Sequence, residues 1–244
     1  MLDMLDKISE LLENKDFPQL GNLLKDMNPA DVAELFEDLP REKMALVFRL
    51  LPKELAADAF AYMNPDEQTV LVEAFSDKEL HDVVNELYVD DAADMIEEMP
   101  ASLVKRILRH TDAETRVLIN QILNYPKDSA GSIMTMEYVD LKRGMTVEEA
   151  FDRIRAIGVE KETVYTCYVT QNRVLLGVVT VKTLLLSPYE TKIKDIMETK
   201  VISVTTHEDK EDVAQMFFKY DLSALPVVDG ENRLVGIITF DDAM

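Results

Sequence analysis

Cysteine, histidine, basic residues and long apolar runs are all scarce in this sequence. Its 244 residues include a single cysteine, Cys167, which excludes an internal disulfide and fits a reducing compartment. Cys167 lies in a strand-like stretch, where we expect a small buried hydrophobe. The three histidines are scattered, without a zinc spacing or a Cys/His nucleophile pair. Because Gly-rich phosphate loops and catalytic triads are also missing, an enzyme is the least expected class.

The longest apolar stretch, residues 174–186, is interrupted by a glycine, a lysine and two threonines. It is therefore unsuited to crossing a bilayer, and we expect this chain itself to be soluble.

Acidic residues are abundant, with 47 Asp and Glu against 26 Lys and Arg and a formal net charge of −21. A negative field of this size repels phosphate backbones, so no nucleic-acid partner is expected, and it attracts cations. For any single acid, the alternative is a solvated helix face that keeps the protein in solution.

An internal repeat with helical periodicity occupies the first half. ADVAELFEDLP at residues 30–40 recurs as DDAADMIEEMP at residues 90–100. In the first copy, apolar residues follow the i, i+3, i+4, i+7 spacing of an amphipathic helix. Residues 1–125 therefore predict a solenoid of short helices, each of which must stack on its neighbours to be stable.

Helix starts recur about every dozen residues in this half. Pro40 and Pro52 each open a new turn, and Asn64 precedes a proline at the first helical position. Capping boxes are predicted at Ser76, with Glu79, and at Thr111, with Glu114. The stretch 125–132, which contains proline, serine and glycine, predicts a domain boundary.

A different repeat, with strands, follows this boundary. The triplet IMT at residues 133–135 recurs as IME at 196–198, and LGVVT at 176–180 recurs as VGIIT at 235–239. We call the two copies the first strand repeat and the second strand repeat. Each predicts strand, helix, strand, turn, strand and helix. In the second copy the predicted strands are 201–204, 225–228 and 234–239, with a hairpin turn at Asp229-Gly230. The final helix has only begun at Met244, where a domain is not expected to end, which indicates either a sequence cut within its last domain or a natural truncation.

The strand repeats resemble CBS modules, and two in tandem resemble a Bateman pair. The signature Gly-apolar-apolar-Thr-x-x-Asp stands as GIITFDD at residues 236–242, and LPVVD at 225–229 is equally typical. In the first strand repeat, Thr183 replaces the expected Asp, although GVVT at 177–180 is intact.

The two halves together resemble the cytosolic domain of MgtE magnesium channels. The resemblance rests on ADVAEL at residues 30–35, LLPKELAA at 50–57 and SAGSIMT at 129–135, in that order. It implies an α+β multidomain fold. An all-α, armadillo-like superhelical N domain at 1–130 would precede a tandem CBS (Bateman) α/β pair at 131–193 and 194–244.

This resemblance also implies a function. The family's cytosolic part lies on the cytoplasmic side of the cell membrane as a homodimer through its CBS domains, next to a transmembrane pore domain that is absent here. Mg²⁺ binds between the helical and CBS domains, compacts them and favours the closed pore.

Several acids fall on the family's Mg²⁺-binding positions. Asp90 and Asp94 belong to the helical side, spaced i, i+4 on one helix face. The first copy of the helical repeat has Ala30 and Glu34 there, so the fold itself does not require this pair. The alternative is that Asp90 caps a helix and Asp94 is solvated. The other candidates are Asp58, on the helical side, and Asp209, Glu211, Asp221 and Asp242, on the CBS side.

An adenine nucleotide such as ATP is the competing ligand. CBS clefts commonly hold one, and Thr239 and Asp242 occupy the positions that usually contact phosphate and ribose. Thr183 removes one ribose-binding acid, and no basic cluster surrounds the predicted cleft. A free-standing CBS protein that senses an adenine nucleotide is therefore the alternative function, and a scaffold whose acids only solubilise it is the third hypothesis.

Overall fold

Short helices make up the first half of the computed structural model, which describes residues 2–244. The helices are α1 (Leu2–Glu13), α2 (Phe17–Leu24), α3 (Pro29–Glu37), α4 (Arg41–Phe48), α5 (Lys53–Tyr62), α6 (Pro65–Ala74), α7 (Asp77–Val84), α8 (Val89–Glu98), α9 (Ala101–His110) and α10 (Ala113–Ile122). Helix α3 packs against α5, α5 against α7, and α7 against α9. Alternate helices thus stack in a row, which confirms the predicted superhelical arrangement.

Local capping starts most of these helices where the sequence predicts. Pro40 and Pro52 directly precede α4 and α5, and the side chain of Asn64 accepts a hydrogen bond from the backbone of α6. Ser76 forms the predicted capping box of α7 with Glu79. The prediction of a capping box at Thr111 is wrong. Thr111 ends α9, and its hydroxyl donates to the Ile107 carbonyl at 2.9 Å, so α10 starts without it.

Four phenylalanines form the centre of the helical stack. Phe48 contacts Phe36, Phe60 and Phe75, with ring centroids 6.2, 6.1 and 5.1 Å away. All four side chains are buried, and the first two contacts are edge-to-face. One ring from each of α3, α4 and α5, and one from the residue that ends α6, therefore lock successive helices together.

A partly exposed ion pair joins α4 to α7 and makes acid stability testable. Arg49 Nε donates to Glu79 Oε1 at 2.6 Å. This bond, together with the hydrogen bonds from Ser76, lowers the pKa of Glu79 from 4.5 to about 2. A lowered folded-state pKa means that the pair stabilises the protein fully above pH 4.5 and loses this effect as the pH falls toward about 2. Because solvent screens Arg49, we expect a contribution of about 1 kcal/mol.

Glu79→Gln should therefore reduce the free energy of unfolding by about 1 kcal/mol at neutral pH, and the difference from wild type should shrink as the pH falls from about 4.5 toward about 2. Glutamine still supports a capping box, so this variant isolates the charge. Urea unfolding at several pH values measures the effect, with Glu73→Gln, at an exposed position of α6, as control. A difference that persists unchanged at low pH would contradict the assignment.

Two three-stranded sheets make up the second half. The elements are β1 (Tyr138–Lys142), α11 (Val147–Ile157), β2 (Thr163–Gln171), β3 (Val174–Thr180), α12 (Val181–Leu185), α13 (Ile193–Ile196), β4 (Val204–Thr205), α14 (Lys210–Tyr220), β5 (Ala224–Val228) and β6 (Leu234–Thr239), with a 3₁₀ turn at Gly158–Glu160. The sheet orders are β1-β2-β3 and β4-β5-β6, each with one parallel and one antiparallel pair. The matching topology confirms that the strand repeats are two copies of one α/β unit.

Details of the second strand repeat differ from the prediction. Residues 201–203 are not in a strand, and β4 is only Val204–Thr205. The turn is longer than two residues, because Asp229 N bonds to Arg233 O at 2.9 Å and Asn232 takes a left-handed φ of 57°. Cys167 is buried, as expected, and burial raises the pKa of its thiol to about 12.

The strand repeats exchange their leading segments. Thr135, at the start of the first copy, pairs with Ile237 of β6, while Glu198, at the start of the second copy, pairs with Val178 of β3. Both pairs use two backbone hydrogen bonds of 2.8 and 2.9 Å. A Cβ at Gly236 would lie 2.7 Å from the Thr135 carbonyl oxygen, so only glycine permits this approach.

The described residues group into two compact units. The first, which we call the helical unit, contains the residues up to Leu87 and Asp91–Ile119. The second, the CBS-like unit, contains Tyr88–Asp90 and Asn120–Met244. Within residues 2–244, no helix is both long enough and apolar enough to span a membrane.

Candidate functional site

The candidate acids Asp90 and Asp94 lie one turn apart on α8. The helix starts at Val89, so Asp90 is its second residue and the alternative interpretation of Asp90 as an N-cap is wrong. Asp90 is only 6% exposed, whereas Asp94 is exposed. The positive end of the helix dipole favours a carboxylate at Asp90, and Asp94 extends the negative surface toward solvent.

A further carboxylate, which the sequence analysis missed, approaches the start of α8. Glu137 Oε2 accepts hydrogen bonds from the Val89 backbone N–H at 3.3 Å and from the Thr135 hydroxyl at 2.8 Å. Burial raises the pKa of Glu137, and these two donors oppose the rise. No local sequence signal connects residues 48 positions apart, so only the fold reveals this contact.

Asp58 lies on α5, in a negative environment within the helical unit. Partial burial raises the pKa of its carboxylate, and the charges of Glu54 and Glu86 raise it further. Lys53 forms an ion pair with Glu86 and offsets part of this charge. A bound cation stabilises crowded carboxylates of this kind, because it relieves their mutual repulsion.

Helix α14 separates the candidate acids of the CBS-like unit into two groups. Asp209 is its N-cap and accepts a hydrogen bond from Glu211 N at 2.8 Å, so these two acids are neighbours. Asp221 caps the other end in a left-handed conformation, with φ 52°. At 1.5 Å per residue, the helix holds these groups roughly 16 Å apart. One ion therefore cannot bind to Asp221 and to Asp209 together.

Asp242 lies apart from both groups of acids around α14, in the turn after β6. The Thr239 hydroxyl bonds to Asp241 Oδ1 at 2.6 Å and also to Asp242. Partial burial raises the pKa of Asp242, and Asp241 adds to the rise. Among the described residues, no group of three or more His, Cys, Asp or Glu side chains is arranged to hold a metal ion.

An open cleft of about 250 Å³ lies in the CBS-like unit. Its lining residues are Thr166, Tyr168, Val178, Thr180, Glu198, Lys200, Val201, Ile202, Asp221, Leu222, Ser223, Ala224 and Pro226. Asp221 is thus brought to the cleft, whereas Thr239 and Asp242 do not line it. The Tyr168 hydroxyl is buried and has no hydrogen-bond partner within the described chain, and burial raises its pKa.

Two family comparisons agree with the two halves of the fold. Residues 27–128 match the MgtE intracellular N domain, and residues 193–244 match the CBS domain. The magnesium transporter MgtE of Thermus thermophilus is 36% identical over 242 residues, which cover 97% of this chain and 54% of that protein. MgtE of Bacillus subtilis is 34% identical over 160 residues, covering 65% of this chain and 36% of that protein. The chain thus spans about half of the first relative and less of the second.

Two solved structures match almost the whole chain. The cytosolic domain of the Mg²⁺ channel MgtE in complex with ATP aligns with a TM-score of 0.92 and 35% identity, covering 98% of each chain. The soluble part of a magnesium transporter aligns with a TM-score of 0.91 and 28% identity, covering 100% of this chain and 96% of that one. This chain therefore belongs to the MgtE family and corresponds to its cytosolic domain.

Proposed function

We propose that this chain is the Mg²⁺-sensing regulatory part of a magnesium transporter, on the cytoplasmic side of the cell membrane. In this proposal Mg²⁺ bridges acids of the helical N domain (residues 1–130), Asp90, Asp94 and Asp58, to acids of the tandem CBS pair. Those partners are Asp209, Glu211, Asp221 and Asp242. The filled state favours a closed pore, which gives feedback on magnesium uptake.

The observation that carries this proposal is the distribution of the acids. Asp90 with Asp94, and Asp209 with Glu211, form pairs of carboxylates, and neither pair alone makes a complete metal site. Mg²⁺ keeps several waters and needs only one or two carboxylates from each surface. Two half-sites of this kind repel each other without metal and are joined by it.

Weak sites are sufficient for steep sensing. A site filled only in the compact state stabilises that state by RT ln(1 + [Mg²⁺]/Kd), about 1.4 kcal/mol at ten times Kd. Three such sites shift a two-state equilibrium by roughly 10³-fold. Millimolar changes in Mg²⁺ can then switch the protein without any single tight site.

The proposed partners are a second copy of this chain and a transmembrane pore domain. Dimerisation through the strand repeats is supported by exposed aromatic side chains on and beside α14, where Phe218 is 70% exposed and stacks edge-to-face on Phe240. Exposed aromatic side chains in contact with each other are typical of interaction surfaces.

An adenine nucleotide is the second candidate ligand, as either a co-ligand or the alternative signal. The cleft that contains Tyr168 and Thr180 supports it, since a buried hydroxyl lacking a protein partner is suited to bind a polar ligand. Lys200 is the cation of the cleft lining, where Glu198 and Asp221 are acidic. This balance favours a nucleotide whose phosphates carry Mg²⁺.

Millimolar Mg²⁺ should raise the unfolding temperature and reduce the radius of gyration of the 244-residue chain. Thermal unfolding and small-angle scattering at fixed ionic strength measure both effects, and the scattering mass tests the dimer. Matched NaCl is the control. An equal response to NaCl would mean simple screening and would overturn the sensor proposal.

A further inference from the structure

We propose that Glu137 is a positioning residue of the Mg²⁺ response, which holds the first turn of α8 and thereby Asp90 and Asp94. The inference rests on the proposed function of these two acids. Glu137 is not itself proposed as a metal ligand, and both Glu137 and Val89 belong to the CBS-like unit.

The start of α8 has a long-range contact. Asn28, Asn64 and Ser76 cap α3, α6 and α7 from within their own segments. In α8, the Val89 N–H donates to Glu137, which is 48 residues further along the chain. Tyr88–Asp90 accordingly group with the CBS-like unit, although the rest of α8 groups with the helical unit.

Glu137 is itself rigidly supported. Its carboxylate accepts from the buried Thr135 hydroxyl, and its backbone carbonyl accepts from Glu162 N at 2.9 Å. Thr135 pairs with Ile237 of β6 through two backbone hydrogen bonds. A continuous series of bonds therefore runs from β6 through Thr135 and Glu137 to the first turn of α8.

Such a connection affects metal binding through geometry. Terminal helix turns fray unless their free N–H groups are bonded. Asp90 is the second residue of α8, so fraying displaces its carboxylate and increases the entropy lost when Mg²⁺ orders it. Held by Glu137, the half-site is formed before the ion arrives.

Glu137→Ala should therefore raise the Mg²⁺ concentration at the midpoint of compaction about tenfold, as expected for loss of a hydrogen-bonded carboxylate. Thr135→Val, which removes only the supporting hydroxyl, should raise it about threefold. Glu137→Gln has the same charge as the alanine variant but keeps a carbonyl acceptor, so its midpoint should stay within about twofold of wild type. The midpoint is measured on the full chain by scattering at fixed ionic strength.

Glu149→Ala is the matched control. Glu149 completes the capping box of α11 through Thr146, in the same unit and remote from α8 in the sequence. Its loss should lower the unfolding temperature without moving the Mg²⁺ midpoint, whereas Glu137→Ala should change both.

The outcomes separate the two proposals. If wild type responds to Mg²⁺ and both Glu137→Ala and Thr135→Val keep its midpoint, the positioning role is overturned and the sensor proposal stands. If Glu137→Gln shifts the midpoint as far as Glu137→Ala, charge rather than position is responsible, which also overturns it. Should Glu137→Ala not fold, Thr135→Val decides the question. A wild type without a specific Mg²⁺ response defeats both proposals.

Discussion

Replacing Asp90 and Asp94 together by asparagine should raise the Mg²⁺ midpoint of compaction at least about tenfold, the loss expected when one bridging site is removed. Asparagine keeps the shape of both side chains and removes two negative charges near the start of α8. The reduced repulsion between acidic surfaces should offset the lost interaction of Asp90 with the helix dipole, so the metal-free protein should be equally stable or slightly more stable. A sensor should thus keep or gain metal-free stability while its Mg²⁺ response weakens. A scaffold whose acids only solubilise it should keep its Mg²⁺ response unchanged.

The same pattern should follow from Asp209→Asn with Glu211→Gln. Asn is as good an N-cap as Asp, so α14 should remain intact. If each pair is half of a shared site, the combined variant should raise the Mg²⁺ midpoint of compaction little more than either double variant alone does. Additive shifts, or no shift from either pair, would show that these four acids do not bridge the helical N domain and the tandem CBS pair.

The helical repeat itself provides a control for this cycle. Helix α3 contains the first copy of the segment repeated in α8, with Asp31 and Glu34 exposed on it. Asp31→Asn with Glu34→Gln removes the same two charges from the equivalent helix. Its Mg²⁺ midpoint should match that of wild type if position, and not total charge, determines the response.

Phe48→Ala should reduce the free energy of unfolding of the helical unit by about 3–5 kcal/mol, the largest stability loss that we predict. Phe48 contacts three buried rings at once, so its removal leaves a cavity bounded by Phe36, Phe60 and Phe75. These rings come from different helices, and no single side chain can shift to fill the space. Urea unfolding followed by far-UV circular dichroism measures the loss.

Two variants define the mechanism of that loss. Phe48→Leu keeps most of the buried volume, so it should reduce the free energy of unfolding clearly less than Phe48→Ala does. Tyr62→Ala removes an aromatic ring of α5 that is 63% exposed, and should change stability by less than about 1 kcal/mol. Equal losses at Phe48 and Tyr62 would mean that the phenylalanine cluster does not hold the helical stack together.

Local patterns in the sequence were sufficient for most elements. The capping box at Ser76 and the prolines at residues 40 and 52 mark helix starts correctly, because capping uses side chains within three or four residues of the terminus. The box at Thr111 failed because the same residue serves better as the end of α9, where its hydroxyl reaches the preceding turn. Periodicity alone cannot decide between two such local uses.

By itself, then, the sequence determined the repeats, the helix and strand types, the family resemblance and the acids worth testing. The tertiary structure alone decided which distant segments meet. It brought Thr135 onto β6 and Glu198 onto β3, and it placed Glu137 at the start of α8. The physical reason is range, because propensity, capping and periodicity act over a few residues, whereas these contacts depend on packing between segments tens of residues apart.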